Sequence, residues 1–151
     1  MLHAPDTPGA ARKAAIDTLS AAPPKALEAL WQALGITPQY RLVRGPETGL
    51  VMIRGRAGGG GNPFNLGEAT VTRATIRLAT GEVGHSYALG RDGEKAVRAA
   101  LLDALWQRDP ERVETEVLAP LRAAAAAADA RVRAETAATR VNFFTMVRGD
   151  D

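Results

Sequence analysis

The sequence predicts an α+β fold: N-terminal helices, a four-stranded mainly antiparallel sheet, and long C-terminal helices with an extended tail. Three observations lead there. Apolar residues recur at three-and-four spacing up to about residue 36 and again from about residue 92, the signature of amphipathic helices. Between residues 38 and 90 the period falls to two, as in half-buried strands. Proline, glycine and Asp-Pro or Gly-Pro pairs punctuate the changes. At 151 residues the chain suits a single domain: 1–36 helical, 38–90 sheet, 92–140 helical, and 141–151 a tail that docks on a partner.

The first helix is set by Thr7 as N-cap and Pro8 at the first helical position, with Ala11, Ala14, Ala15, Ile16 and Leu19 behind them. Pro23-Pro24 ends it, and a second helix runs from Pro24 to Leu34. Its apolar face is Leu27, Leu30, Trp31 and Leu34, and Gly35 is its stop. Tyr40–Arg44 and Leu50–Arg54 then read as two short strands of a hairpin around Gly45-Pro46-Glu47-Thr48-Gly49. From Gly67 to Leu78 the alternation slips by one near Thr72-Arg73, which predicts either a bulge or a strand buried on both faces. After the turn Ala79–Glu82, one strand carries Val83, His85, Tyr87 and Leu89 on one face. Gly84, Ser86 and Ala88 lie on the other, where small side chains let a helix approach closely. Asp92 caps a helix with the stripe Ala96/Val97, Ala100/Leu101, Ala104/Leu105. Asp109-Pro110 starts another, with Val113, Val117, Leu118 and Leu121 inward. Pro120 is expected to kink or break it, having no amide and clashing one turn back.

Between Arg122 and Arg140 the only large apolar side chain is Val132. Alanine favours helix, yet a helix with an alanine face has little to bury. Burial of one Leu or Val is worth about 1.5–3 kcal/mol, against roughly 1–2 kcal/mol per residue for ordering backbone. Val141, Phe143, Phe144, Met146, Val147 and Arg148 follow at the end of the chain. A helical arm with an aromatic tip suits docking on another chain; folding of Phe143 and Phe144 back onto their own sheet is the alternative.

Composition narrows the chemistry. Of the 46% hydrophobic residues, 30 are alanines, so the core is modest. There is no cysteine and only His3 and His85, which excludes disulfides and thiolate metal sites from this chain and leaves no self-contained metal centre. The 16 Arg and 3 Lys are interspersed with 17 acidic residues for a net charge of +2, without the basic clustering that nucleic-acid binding requires. No apolar run approaches the roughly 18 residues of a membrane span. A cytoplasmic protein with neither nucleic-acid nor membrane partner is expected.

Candidate anion contacts are Gly58, Gly59, Gly60 and Gly61 with Arg54 upstream, since consecutive backbone amides can cradle an anion. The run leads to Asn62-Pro63-Phe64-Asn65 and not to Lys-Ser/Thr and a helix, so it is no P-loop, and a hairpin connection is the other account of it. Arg73 lies mid-strand and is expected to meet a carboxylate or a phosphate, or to face solvent on the sheet. His85 and Ser86 are adjacent and therefore point to opposite faces of a strand, which rules out a nucleophile–base pair between them; His85 is expected to be packed, with one nitrogen satisfied. No catalytic residue and no metal ligand is assigned.

Taken together, Glu47-Thr48-Gly49-Leu50-Val51, the glycine run, Gly67-Glu68-Ala69-Thr70-Val71-Thr72-Arg73-Ala74, Gly90-Arg91-Asp92, Ala119-Pro120-Leu121 and the ending Val141-Asn142-Phe143-Phe144-Thr145-Met146-Val147-Arg148-Gly149-Asp150 resemble the PhnG family. PhnG is the small subunit of the bacterial carbon–phosphorus lyase core complex. The resemblance implies a role in phosphonate catabolism, as a required subunit of a transferase. That enzyme places a phosphonate such as methylphosphonate on the ribose C1 of ATP and releases adenine, giving α-D-ribose 1-methylphosphonate 5-triphosphate. It implies direct pairing with PhnI, a two-fold symmetric assembly with PhnH and PhnJ, and associated PhnL and PhnK. No cofactor is expected on this chain; the iron–sulfur cluster and S-adenosylmethionine belong to another subunit.

Overall fold

Proline and glycine set the first boundaries. The computed structural model describes residues 9–139, so the Thr7-Pro8 cap lies outside the described residues. Helix α1 (Ala10–Ala21) follows Gly9 and gives way at Pro23, and α2 (Pro24–Leu34) begins on Pro24. It ends at Gly35, whose φ of 61° is the left-handed conformation a helix stop requires. Leu27 and Leu34 of its expected face are buried, with Leu30 and Trp31 packed beside them.

Three strands follow, β1 (Tyr40–Arg56), β2 (Pro63–Leu78) and β3 (Val83–Leu89), in the antiparallel order β1-β2-β3. Among the described residues the sheet thus has three strands, not the expected four. Gly45–Gly49 is no hairpin turn. Both halves of β1 pair with β2 in one direction, from Tyr40↔Leu78 through Glu47↔Arg73 to Arg56↔Pro63, and Gly45-Pro46 is the extra length of a bulge between Arg44↔Thr75 and Glu47↔Arg73. A proline without an N–H and a glycine with φ of 73° are tolerated in a strand only at such an irregular edge position. The real reversal is the glycine run, where a tight 3₁₀ turn over Ala57–Gly59 joins β1 to β2 and the Gly61 N–H bonds Ala57 O at 3.1 Å.

The slip at Thr72-Arg73 is not a break in β2, whose pairing with β3 is continuous from Val71 to Arg77. Neither expected account holds for β2 as it stands: Val71 and Thr72 are both buried at that point, but Arg73 and Arg77 on Val71's face are exposed, and the bulge lies in β1, opposite Arg73–Thr75. Thr72 Oγ1 is satisfied by Gly90 O at 2.7 Å and by Thr48 Oγ1 at 2.9 Å.

Helix α3 (Gly93–Arg108) is capped by Asp92, whose Oδ1 accepts from the Lys95 N–H at 2.8 Å. It is buried on two sides. Ala96, Ala100, Leu101 and Ala104 pack on Ala74, Ile76 and Leu78 of the sheet. Ala99 and Leu102 pack against Ala15, Leu19, Leu27, Val113, Val117 and Leu118 of the other helices. Alanines on the sheet side let the helix sit low, and the strand beneath matches: Gly84, Ser86 and Ala88 are buried, as the small-residue face of β3 predicts. A Cβ on Gly84 would overlap the Ala100 carbonyl oxygen and stand 2.8 Å from Ala104 N. Lys95 is also buried, donating to Ser20 O at 2.8 Å, and desolvation lowers its pKa below the usual lysine value.

After Asp109, helix α4 (Pro110–Val113) runs into a π turn over Glu114–Leu118 and on into α5 (Ala119–Ala138). Pro120 does not break the helix. The widened turn, in which the Ala119 N–H reaches Glu114 O, absorbs the ring where a regular turn would clash with it. Leu121 is the last buried residue, and from Arg122 to Thr139 every residue is exposed.

Gly84→Ala is expected to cost about 3 kcal/mol through overpacking, read as a lower urea midpoint, whereas Gly67→Ala, with open space around it, stays within about 1 kcal/mol of the parent.

Candidate functional site

A carboxylate in the middle of α3 organises the polar interior. Asp103 is completely buried, and a buried charge persists only when paired and hydrogen-bonded. Arg12 of α1 meets it with both edges of a fork, Nε to Oδ1 at 2.9 Å and an η nitrogen to Oδ2 at 2.8 Å. The His85 backbone N–H adds a third bond at 2.8 Å. Arg12 also reaches Val83 O at 3.2 Å, an acceptor it shares with Gln107 at 2.8 Å. Hydrogen bonding to Asp103 raises the Arg12 pKa further above its ordinary value. This junction ties α1, α3 and β3 together. Its only trace in the sequence is a lone carboxylate one position from Leu102 on an otherwise apolar helix face.

The sequence-predicted anion contacts are not brought together. Arg73 lies on the sheet face away from α3, and Glu47 across the strand pair engages it, Oε2 to Nε at 3.1 Å and to an η nitrogen at 3.0 Å; Arg44 stands 3.5 Å from the same carboxylate. Arg73 faces solvent on the sheet, as one expectation had it, and there meets an exposed carboxylate, Glu47. Arg54 sits seven residues further along β1 than Glu47, roughly 23 Å away at strand rise. Gly58, Gly59, Gly60 and Gly61 lie beyond it at the hairpin tip and lead into a strand, without a helix N-terminus behind them. Phe143, Phe144, Met146, Val147 and Arg148 lie outside the described residues.

His85 is exposed, not packed; its Nδ1 is 3.2 Å from Thr75 Oγ1. Ser86 points to the opposite, buried face, its hydroxyl without a hydrogen-bond partner among the described residues. Among those residues no group of three His, Cys, Asp or Glu side chains could hold a metal ion, and no helix is long and apolar enough to cross a membrane.

What the molecule does present is uncovered surface. The β1–β2 ribbon continues past the last β3 pair, Val71↔Leu89, for the length of residues 50–70. Its apolar side chains stand in solvent: Leu50 is 62% exposed, Leu66 61% and Met52 56%. Leu66 lies against Gly55, where there is no side chain to stop it. At the other end of β1, α3 leaves a groove of about 820 Å³, lined by Trp31, Ile36, Tyr40, Pro46, Val97 and Arg98 among others. Contiguous apolar surface of this kind marks an interaction site.

A small α+β protein with an apolar β arm, an exposed helical arm and an unfilled groove belongs to the class of assembly subunits. Comparison gives the particular family: the model of the phosphonate metabolism protein PhnG matches residues 10–149, and the chain belongs to that family. It is 58% identical over 126 residues, 83% of this chain and 81% of the relative, to the "Alpha-D-ribose 1-methylphosphonate 5-triphosphate synthase subunit PhnG" of Rhizobium meliloti (strain 1021).

The buried junction carries its own test. Arg12→Ala strands the Asp103 carboxylate and is expected to cost about 3 kcal/mol. Asp103→Ala is milder, because Arg12, whose side chain is 32% exposed, can turn to water. A double-mutant cycle in urea should return a coupling of about 1–3 kcal/mol.

Proposed function

We propose that this chain is a non-catalytic but required subunit of α-D-ribose 1-methylphosphonate 5-triphosphate synthase, acting in phosphonate catabolism. The single observation that carries this is the 58% identity over 126 residues to a protein bearing that name. The supported reaction places a phosphonate on the ribose C1 of ATP with loss of adenine. This chain's part is to dock on the catalytic subunit, for which PhnI is the proposed direct partner. PhnH and PhnJ complete the two-fold core, and PhnL and PhnK join it. The iron–sulfur cluster and S-adenosylmethionine are assigned to another subunit, and the cytoplasm to the whole.

The physical support is the arm. Three large apolar side chains more than half exposed on one hairpin gain on the order of 1.5–3 kcal/mol each when a partner covers them completely. A surface of that kind suits a permanent interface, whose centre resembles a protein core. The tail residues Phe143 and Phe144 extend the same argument from the sequence.

Co-expression with the other subunits tests it. The Leu50→Asp, Leu66→Asp double variant should keep the far-UV spectrum and melting temperature of the parent yet lose co-purification with PhnI. Phe143→Ala with Phe144→Ala should do the same. Retention of the complex by both double variants would overturn the assignment of these segments to docking.

A further inference from the structure

The sheet face turned away from α3 carries a like-charged pair that no other described residue neutralises. Arg41 and Arg77 are directly opposite each other on β1 and β2, both exposed. Like charges in that relation destabilise a strand pair. Neither makes a salt bridge or side-chain hydrogen bond among the described residues, while Glu47, the carboxylate of this face, is occupied by Arg73 and Arg44. Glu82, just beyond the β2–β3 turn, accepts from Thr80. The two guanidinium groups line one cleft of about 460 Å³ at the end of the sheet, with Gln39 and Gly81 and with no acidic side chain in its walls.

We infer that this cleft binds the polyphosphate chain of a small molecule. The geometry selects the chemistry. A carboxylate can be shared between two arginines, as Glu47 is, but brings one negative charge and two oxygens; a terminal phosphoryl group brings about two charges and three oxygens, enough to neutralise both arginines and fill a fork on each side. Arg41 and Arg77 face each other across the strand pair in that manner. The inference rests on the proposed function, which supplies a triphosphate-bearing ligand, and it assigns a binding role, not a catalytic one.

The test uses the full chain, alone and within the co-purified complex, titrated with inorganic tripolyphosphate at fixed ionic strength. Binding should raise the melting temperature by about 2–4 °C, the shift that roughly 1 kcal/mol gives a chain of this size. Arg41→Ala and Arg77→Ala should each bind about tenfold more weakly, the loss of one charge-assisted fork. Each should also melt no lower than the parent without ligand, because repulsion is relieved, a combination that a merely structural arginine would not produce. Arg41→Lys keeps the charge and should retain part of the affinity, and Arg133→Ala on α5 should change nothing.

An equal response to sulfate at the same ionic strength, unchanged binding by both alanine variants, or preference for poly(U) RNA over tripolyphosphate would each overturn the inference. A chain that co-purifies with PhnI but ignores tripolyphosphate defeats the cleft and spares the subunit role; one that binds tripolyphosphate but never co-purifies does the reverse.

Discussion

The arrangement depends on one buried carboxylate. Asp103 cannot be withdrawn from water without its partners, and those partners lie on two other elements: the Arg12 guanidinium on α1 and the His85 amide on β3. Satisfying both at once, through three hydrogen bonds, fixes the height and rotation of α3 above the sheet. Apolar packing then completes what the polar contact positions. Gly84 removes the side chain that would hold the helix off, and Ala96, Ala100 and Ala104 remove the ones that would hold the strand off. Because α3 is buried on two sides, its apolar surface extends beyond the Ala96/Ala100/Ala104 stripe to Ala99 and Leu102, and its charged junction is hidden among them.

Much of this was legible from residue order, and where it was not the reason is physical. Pro24, Gly35, Asp92 and Asp109 act locally, through φ, a missing N–H or a cap, so the helix ends fall where they predict. The small face of β3 predicts close helix packing because a Cβ is a local quantity too. Gly45–Gly49 misled because Gly-Pro is the vocabulary of turns, and only the partner strand decides between a reversal and a bulge. Arg12 and Asp103 are 91 positions apart and carry no local sign of each other. Arg73 was left among alternatives, because a mid-strand charge shows its partner only across the strand pair, where Glu47 meets it.

The distribution of material fits a part better than a whole. Core-forming side chains concentrate on α3 and its neighbours, while the far ends of β1, β2 and α5 hold theirs in water. Within the PhnG family such uneven investment is intelligible if the interior of the working enzyme is shared among chains. On the proposed reading, the arginine face and the apolar arm divide the labour, one toward a charged small molecule and the other toward protein.

The bulges in β1 have a further effect. Register shifts at Leu42/Arg44, Arg44/Glu47 and Ile53/Arg54, with Pro46 offering no amide, interrupt the outer margin of the sheet, so a stray extended peptide finds no regular stretch longer than Glu47–Ile53 to zip onto. A ribbon this greasy would otherwise be prone to amyloid-like stacking while it waits for assembly. Its irregular rim keeps the stickiness on the flat sides, where a shaped protein can use it and another unfolded chain cannot.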